Sequence, residues 1–316
     1  MGITIFYVDK TLWLLRYSMA AITLVVVCIL SACAKSGQLP ATSGDASASS
    51  TGVVTVTVLA ADPKAYTLTV KGPGLPASEK NGTEVLKVVL GDTLVGYTGH
   101  QIQGELSKSE GTWRLDNIWP ADPALVAATA DAARQISGDL VELGRKAYRD
   151  VGDTLPDFAL YNQNGEIVRP AMFRGQRLVI NFIFTRCTNL NMCPANSQRM
   201  VQLQSEVKKA KLDNVTFITI SFDPEHDTPG VLRQYADALG MDLANYQLLT
   251  GPADEMKVVL QEFGILIKQE NGTLVHSMAT LIVSPAGRIT YRKEGESWTV
   301  QEFLDRLAPP TPAAKS

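Results

Sequence analysis

Histidine and cysteine are scarce in this chain: three and four among 316 residues. So few imidazoles exclude a large histidine-built metal cluster. Positive charge is concentrated nowhere, and the formal net charge is −3. Phosphate binding needs clustered Lys and Arg, so nucleic acid is not an expected partner. The sequence carries no Ser-His-Asp pattern, no phosphate-binding glycine loop and no paired-carboxylate signature, which removes the common hydrolase and nucleotide-dependent classes. Long apolar runs are absent too. The run from Met19 to Leu30 is short for a bilayer span but has the length of a signal-peptide core. What remains is an ordinary globular composition, 45% hydrophobic and 19% charged. The length exceeds that of a usual single domain, so two folded units are expected.

Lys10 and Arg16 precede the apolar run, which ends in Leu30-Ser31-Ala32-Cys33. That ending resembles a bacterial lipobox, in which the Cys is lipidated and the preceding peptide removed. Residues 1–33 are therefore expected to be a lipoprotein signal peptide with Cys33 as the lipidation site. Acyl chains there would supply the several anchors that stable attachment needs. The expected location is the bacterial cell envelope, lipid-anchored to a membrane and facing the periplasm or another extracytoplasmic space. Residues 34–51 are small and polar and read as a flexible tether. With Cys28 in the leader, only Cys187 and Cys193 remain in the body of the protein. Two nearby thiols in an exported chain make a disulfide, a redox pair or a metal site. A structural staple is the weak option, since it closes only a short loop.

Order is expected from Gly52. Val54, Val56 and Val58 alternate with threonines, and Tyr66, Leu68 and Val70 alternate again after a turn at Asp62-Pro63-Lys64. Further strands fit 84–90, 93–97, 102–106 and 113–118. So many short strands predict a small all-β barrel over 52–120, of OB type. The barrel has no Met and only His100, which reads as a loop residue beside Gly99, so no metal site is placed there. Pro120–Pro123 breaks the pattern, and residues 121–150 read as a linker helix with Asp122 as cap and Pro123 in its first turn. From 151 to 310 strands alternate with helices: apolar runs at 177–184 and 215–222, helices over 194–210, 231–239, 254–263 and 300–307, and a hairpin from Thr280. This is an α/β sheet covered on both faces. With two cysteines at the first strand-to-helix junction it is the thioredoxin arrangement, and residues 150–316 are expected to fold alone. Residues 311–316 read as a disordered tail.

Cys187 follows the apolar strand and Cys193 precedes a helix led by Pro194. A helix N-terminus favours negative charge and so favours the thiolate, with Arg186 adding positive charge. Thiolate is both the nucleophile of disulfide exchange and a soft ligand for Cu(I), so the local physics supports a redox pair and a copper site equally.

Phe184-Thr185-Arg186-Cys187, Cys193-Pro194, Ser221–Pro229 (SFDPEHDTP), Tyr246–Gly251 (YQLLTG) and Val275-His276-Ser277 resemble the Sco/SenC family in order and spacing. The resemblance runs from 152 to 309 and does not reach the barrel. It implies a thioredoxin-like domain binding one copper ion, Cu(I) or Cu(II), through Cys187, Cys193 and His276. It also implies a metallochaperone that delivers copper to the binuclear centre of cytochrome c oxidase, so the partner would be the copper-bearing oxidase subunit or another copper protein. Some family members are thiol reductases, and a membrane-anchored thiol-disulfide oxidoreductase using Cys187 and Cys193 is the alternative. Against that enzyme, Met278-Ala279-Thr280 lacks the cis-Pro of thioredoxin-like reductases. The family motif has three residues between the cysteines, whereas Thr188–Met192 makes five. The longer loop costs only roughly a few tenths of a kcal/mol in closure entropy. Met192 reads as its apolar cover, His226 as a solvated residue at a helix cap, and Asp223 and Asp227 as acceptors for N–H groups at the turn and helix start.

Overall fold

The computed structural model describes residues 49–76, 82–143, 148–270 and 273–308. Cys33 and the residues expected to form the signal peptide, most of the tether and the C-terminal tail lie outside them. No described helix is long and apolar enough to cross a membrane.

Alternation builds the first unit. Strands β1 (Ser49–Asp62), β2 (Thr67–Lys71), β3 (Thr83–Lys87), β4 (Gln101–Ser109) and β5 (Thr112–Pro120) close a barrel in the order β1-β2-β3-β5-β4. Every second side chain points inward, so Val56, Val58, Leu68, Leu86, Ile102 and Leu115 form a dry core. Asp62 Oδ1 accepts the backbone N–H groups of Lys64 and Ala65 at 2.9 and 3.1 Å and so shapes the first hairpin. The strand expected at 93–97 is not one. Residues Leu90–Leu94 form a short helix, α1, because Thr93 Oγ1 donates back to the Leu90 carbonyl at 2.6 Å and the Val95 N–H bonds to the Gly91 carbonyl. Val95 and Tyr97 do turn into the barrel core, which is why they alternate, but their backbone pairs locally.

Helix α2 (Pro123–Leu143) follows. Asp122 does not lend its carboxylate to that helix. Oδ1 accepts the Gln101 N–H at 3.0 Å, and Oδ2 lies 2.7 Å from His100 Nδ1, pinning the barrel exit to β4. Ile136 of α2 is buried in the core of the second unit with Phe158 and Phe263, so part of that core lies upstream of residue 150.

The second unit is an α/β sandwich of thioredoxin type. Its strands are β6 (Leu160–Asn162), β7 (Ile167–Val168), β8 (Arg177–Ile183), β9 (Val215–Ser221), β10 (Tyr246–Thr250), β13 (Ala279–Val283) and β14 (Ile289–Glu294). They form one sheet in the order β14-β13-β8-β9-β10-β6-β7, and β8, β9 and β10 run parallel. Burial on both faces explains the near-continuous apolar runs of β8 and β9. Helices α3 (Cys193–Lys209), α4 (Pro229–Leu239), α5 (Ala253–Glu262) and α6 (Val300–Leu307) cover the faces. One face buries Phe158, Phe182 and Phe263, the other Phe217, Tyr246, Trp298 and Phe303. A separate hairpin, β11 (Ile267–Glu270) with β12 (Thr273–His276), pairs Ile267 with His276. His276 therefore ends a hairpin strand.

Barrel and sandwich meet where α1 lies on the first turn of α4. Glycine is required on both sides. A Cβ at Gly91 would lie 1.8 Å from the Gly230 carbonyl oxygen, and one at Gly230 would lie 1.9 Å from Asp92 Oδ1. Arg233 Nη1 bridges the units, reaching the Leu94 carbonyl at 3.4 Å and Asn164 Oδ1 at 3.1 Å.

Candidate metal centre

Strand β8 carries the chain to Phe184, and the loop 185–192 returns it to α3, whose first residues are Cys193 and Pro194. Cys193 is fully buried, Cys187 is half-buried on the loop, and both are free thiols. Cys193 Sγ lies 4.0 Å from His276 Nε2. His276 Nδ1 lies 3.1 Å from the Ser277 carbonyl oxygen, which can only accept. Nδ1 therefore carries the proton and Nε2 presents its lone pair to the sulfur, the arrangement of a ligating imidazole. The ring is held edge-on to Phe184 with centroids 5.7 Å apart, and against Phe222 at 4.2 Å. Burial lowers the His276 pKa, with the Ser277 hydrogen bond opposing, so the ring is a neutral donor at physiological pH.

The thiolate expected at this helix start meets a stronger effect. Burial pushes the Cys193 thiol up to about 12; a backbone hydrogen bond at Phe184 opposes and the neighbouring Cys187 adds to the rise. Desolvation outweighs the dipole because the sulfur is enclosed by core side chains. Arg186 brings little net charge, for its guanidinium is bound to Asp223, Nε at 2.5 Å from Oδ2 and Nη2 at 3.1 Å from Oδ1. A metal taking Cys193 must displace its proton.

Cys187 Sγ lies 3.8 Å from the Asn189 carbonyl oxygen and is within hydrogen-bonding reach of the Cys193 thiol. Among the described residues no three His, Cys, Asp or Glu side chains already converge as a metal cage. The structure thus brings Cys193 and His276 together, with Cys187 beside Cys193. Met192 is half-buried in the same loop, and His226 is exposed, as a solvated residue should be.

What anchors the loop is Asp227. Its Oδ2 accepts from the Thr185 N–H at 3.0 Å and from Ser221 Oγ at 2.5 Å, and Oδ1 accepts from Thr185 Oγ1 at 2.5 Å. The helix cap expected of the acidic pair is supplied instead by Thr228, whose Oγ1 accepts the Val231 N–H at 3.5 Å. Asp223 turns to Arg186, and Asp227 ties the end of β9 to the start of the cysteine loop. Sequence reasoning missed this role and the aromatic bracket, although Phe184, Phe222 and Asp227 all sit in the segments that drew attention. An Asp227→Asn substitution should cost about 1–2 kcal/mol, because one hydroxyl then meets an amide N–H group that cannot accept. It should also quicken Cys187 alkylation. An alkylation rate equal to that of the native protein would refute the anchoring role.

The sequence profile of the family described as SCO1/SenC matches residues 146–308. The SCO1 protein homolog of Bacillus subtilis is 29% identical over 136 residues, 42% of this chain and 69% of the relative. An SCO2-like protein of Rickettsia felis is 32% identical over 158 residues, 47% of this chain and 74% of the relative. Among solved structures, Arabidopsis thaliana ScoI with copper bound is 21% identical, covering 50% of this chain and 96% of that one with a TM-score of 0.44. The profile match takes in both cysteines, the Asp227 anchor, His276 and just over half of the chain. The protein is a member of the SCO1/SenC family.

Proposed function

We propose that this protein takes up one copper ion at Cys187, Cys193 and His276 and hands it to a copper protein, the copper-bearing subunit of cytochrome c oxidase. The observation that carries the proposal is the bare Nε2 of a neutral imidazole facing a buried sulfur at 4.0 Å. For bonds of about 2.3 Å to sulfur and about 2.0 Å to nitrogen, as around a first-row ion such as zinc, that separation subtends roughly 135° at the ion. Such an angle leaves room for Cys187 as a third donor. Two thiolates and one imidazole form a soft, low-coordinate set suited to Cu(I), and an acceptor with more thiolates can draw the ion away by ligand exchange. Membership in the SCO1/SenC family supports the same cargo. Loading the reduced protein with Cu(I) and with Cu(II) tests it. One copper per chain is expected, with thiolate-to-copper absorption for Cu(II); no copper retained at one equivalent would overturn it.

A thiol-disulfide oxidoreductase is the second reading, favoured by two free, adjacent cysteines of unequal exposure. Against it, Met278-Ala279-Thr280 carries no proline where reductases of this fold present one to a disulfide substrate.

The site is further proposed to work at a membrane surface outside the cytoplasm, tethered through a lipid on Cys33. Cys33→Ser should abolish lipid labelling and leave an unprocessed or released protein. Labelling at the native level in that variant would refute the anchor.

A further inference from the structure

We propose that the seam between barrel and sandwich is a proton-controlled clasp, closed when the Asp92 side chain is neutral and loosened when it ionises. Asp92 is the central residue of α1 and is 3% exposed. Its Oδ1 is buried, has no hydrogen-bond partner, and lies against the Gly230 backbone in the first turn of α4. No N–H of α4 donates to Oδ1, so the positive end of that helix meets it without a hydrogen bond. Pro229 has no N–H to give, and the Val231 N–H is already directed to Thr228 Oγ1. A carboxylate with one oxygen left unpaired in such a place is costly, whereas the neutral acid is tolerated.

The surroundings add to that cost. Asp92 borders a cleft of about 320 Å³ shared with Glu105 of β4, Asp116 of β5, and Glu225 and His226 of the segment before α4. The nearest cations are committed: Arg114 Nε pairs with Asp116 at 2.7 Å, and Arg233 with Asp237 at 3.3 Å and the Leu94 carbonyl. Buried Tyr97, on the segment after α1, is neutral. Burial and then Asp116 raise the Asp92 pKa to about 7, with the Val89 backbone and Arg114 opposing. Asp92 therefore binds its proton more tightly with the seam closed than it would with α1 exposed to water. Proton linkage fixes the sign: closure weakens as pH rises from about 4 to about 7, by up to about tenfold per pH unit, and is flat above. Attachment of the barrel then follows ambient pH.

Hydrogen exchange of the whole protein between pH 5 and 8, corrected for intrinsic rates, tests the clasp. Protection of amides 90–95 and 229–234 should fall up to about tenfold per unit between pH 5 and 7 and then level off. Asp92→Asn, a mimic of the neutral acid, should hold both segments at their low-pH protection throughout. Protection independent of pH in the native protein, or the same slope in Asp92→Asn, would overturn the proposal. If the variant misfolds, the carboxyl ¹³C titration of Asp92 in the native protein decides. A midpoint near 7 is expected, and one near 4 would overturn it.

Discussion

Replacing His276 by alanine should lower copper affinity by at least roughly 100-fold, since disturbing only an outer-shell partner of a metal site already costs about 10–100-fold. The loss should be larger for Cu(II), which favours nitrogen donors, than for Cu(I), which two thiolates can still hold. Disulfide exchange needs only the sulfurs, so the Cys187–Cys193 pair should still oxidise and be reduced. Alanine also opens a gap between Phe184 and Phe222, which flank the imidazole. His276→Phe refills that gap with a ring that has no donor atom. If Ala and Phe both lose copper, the lone pair is responsible; if only Ala does, packing is. Cys187→Ser and Cys193→Ser should lose copper binding and redox cycling together, so the histidine variants carry the discrimination. Competitive copper titration and the thiol–disulfide potential, measured on the same preparations, decide between chaperone and reductase. Native copper affinity with lost reductase activity in His276→Ala would hand the function to the oxidoreductase.

Periodicity made much of this fold legible. The inward valines of β1 and the unbroken apolar runs of β8 and β9 announced one barrel and one doubly covered sheet, and both are present. The exceptions have local causes. Residues 93–97 alternate because Val95 and Tyr97 fill the barrel, yet a Thr93 hydroxyl and a Gly91 carbonyl draw the backbone into α1. Alternation reports which way side chains face, and this backbone satisfies itself without a neighbouring strand. At the candidate site, residue types and order marked Cys193 and His276, which the fold brings to 4.0 Å. The charge state of Cys193 was not legible. A helix N-terminus can be read from Pro194, but the enclosing side chains come from segments far apart in sequence, and their desolvation dominates. Arg186 illustrates the same limit: its sign is plain from the sequence, and its engagement with Asp223 requires the fold. The Gly91–Gly230 contact joins positions 139 residues apart and has no sequence signal at all.

That contact should also be the most sensitive point of the seam. In an unopposed helix Gly→Ala stabilises by up to about 1 kcal/mol. At Gly91 the new methyl would lie 1.8 Å from the Gly230 carbonyl oxygen, a backbone atom that cannot rotate aside. Either α1 or the first turn of α4 must move by more than an ångström, and the sign therefore reverses. A loss of about 3 kcal/mol is expected, toward the upper end of overpacking costs. Gly138→Ala is the matched control, because that glycine is exposed in α2 and a Cβ there meets nothing within 4 Å; it should raise stability slightly. Because the clash falls on the seam and spares both cores, calorimetry of Gly91→Ala should resolve two transitions, with the barrel melting first. Copper affinity should stay native, since Cys187, Cys193 and His276 all belong to the sandwich. A single transition at raised temperature would show that α1 can shift freely on α4, and that the two units are joined by more than this contact.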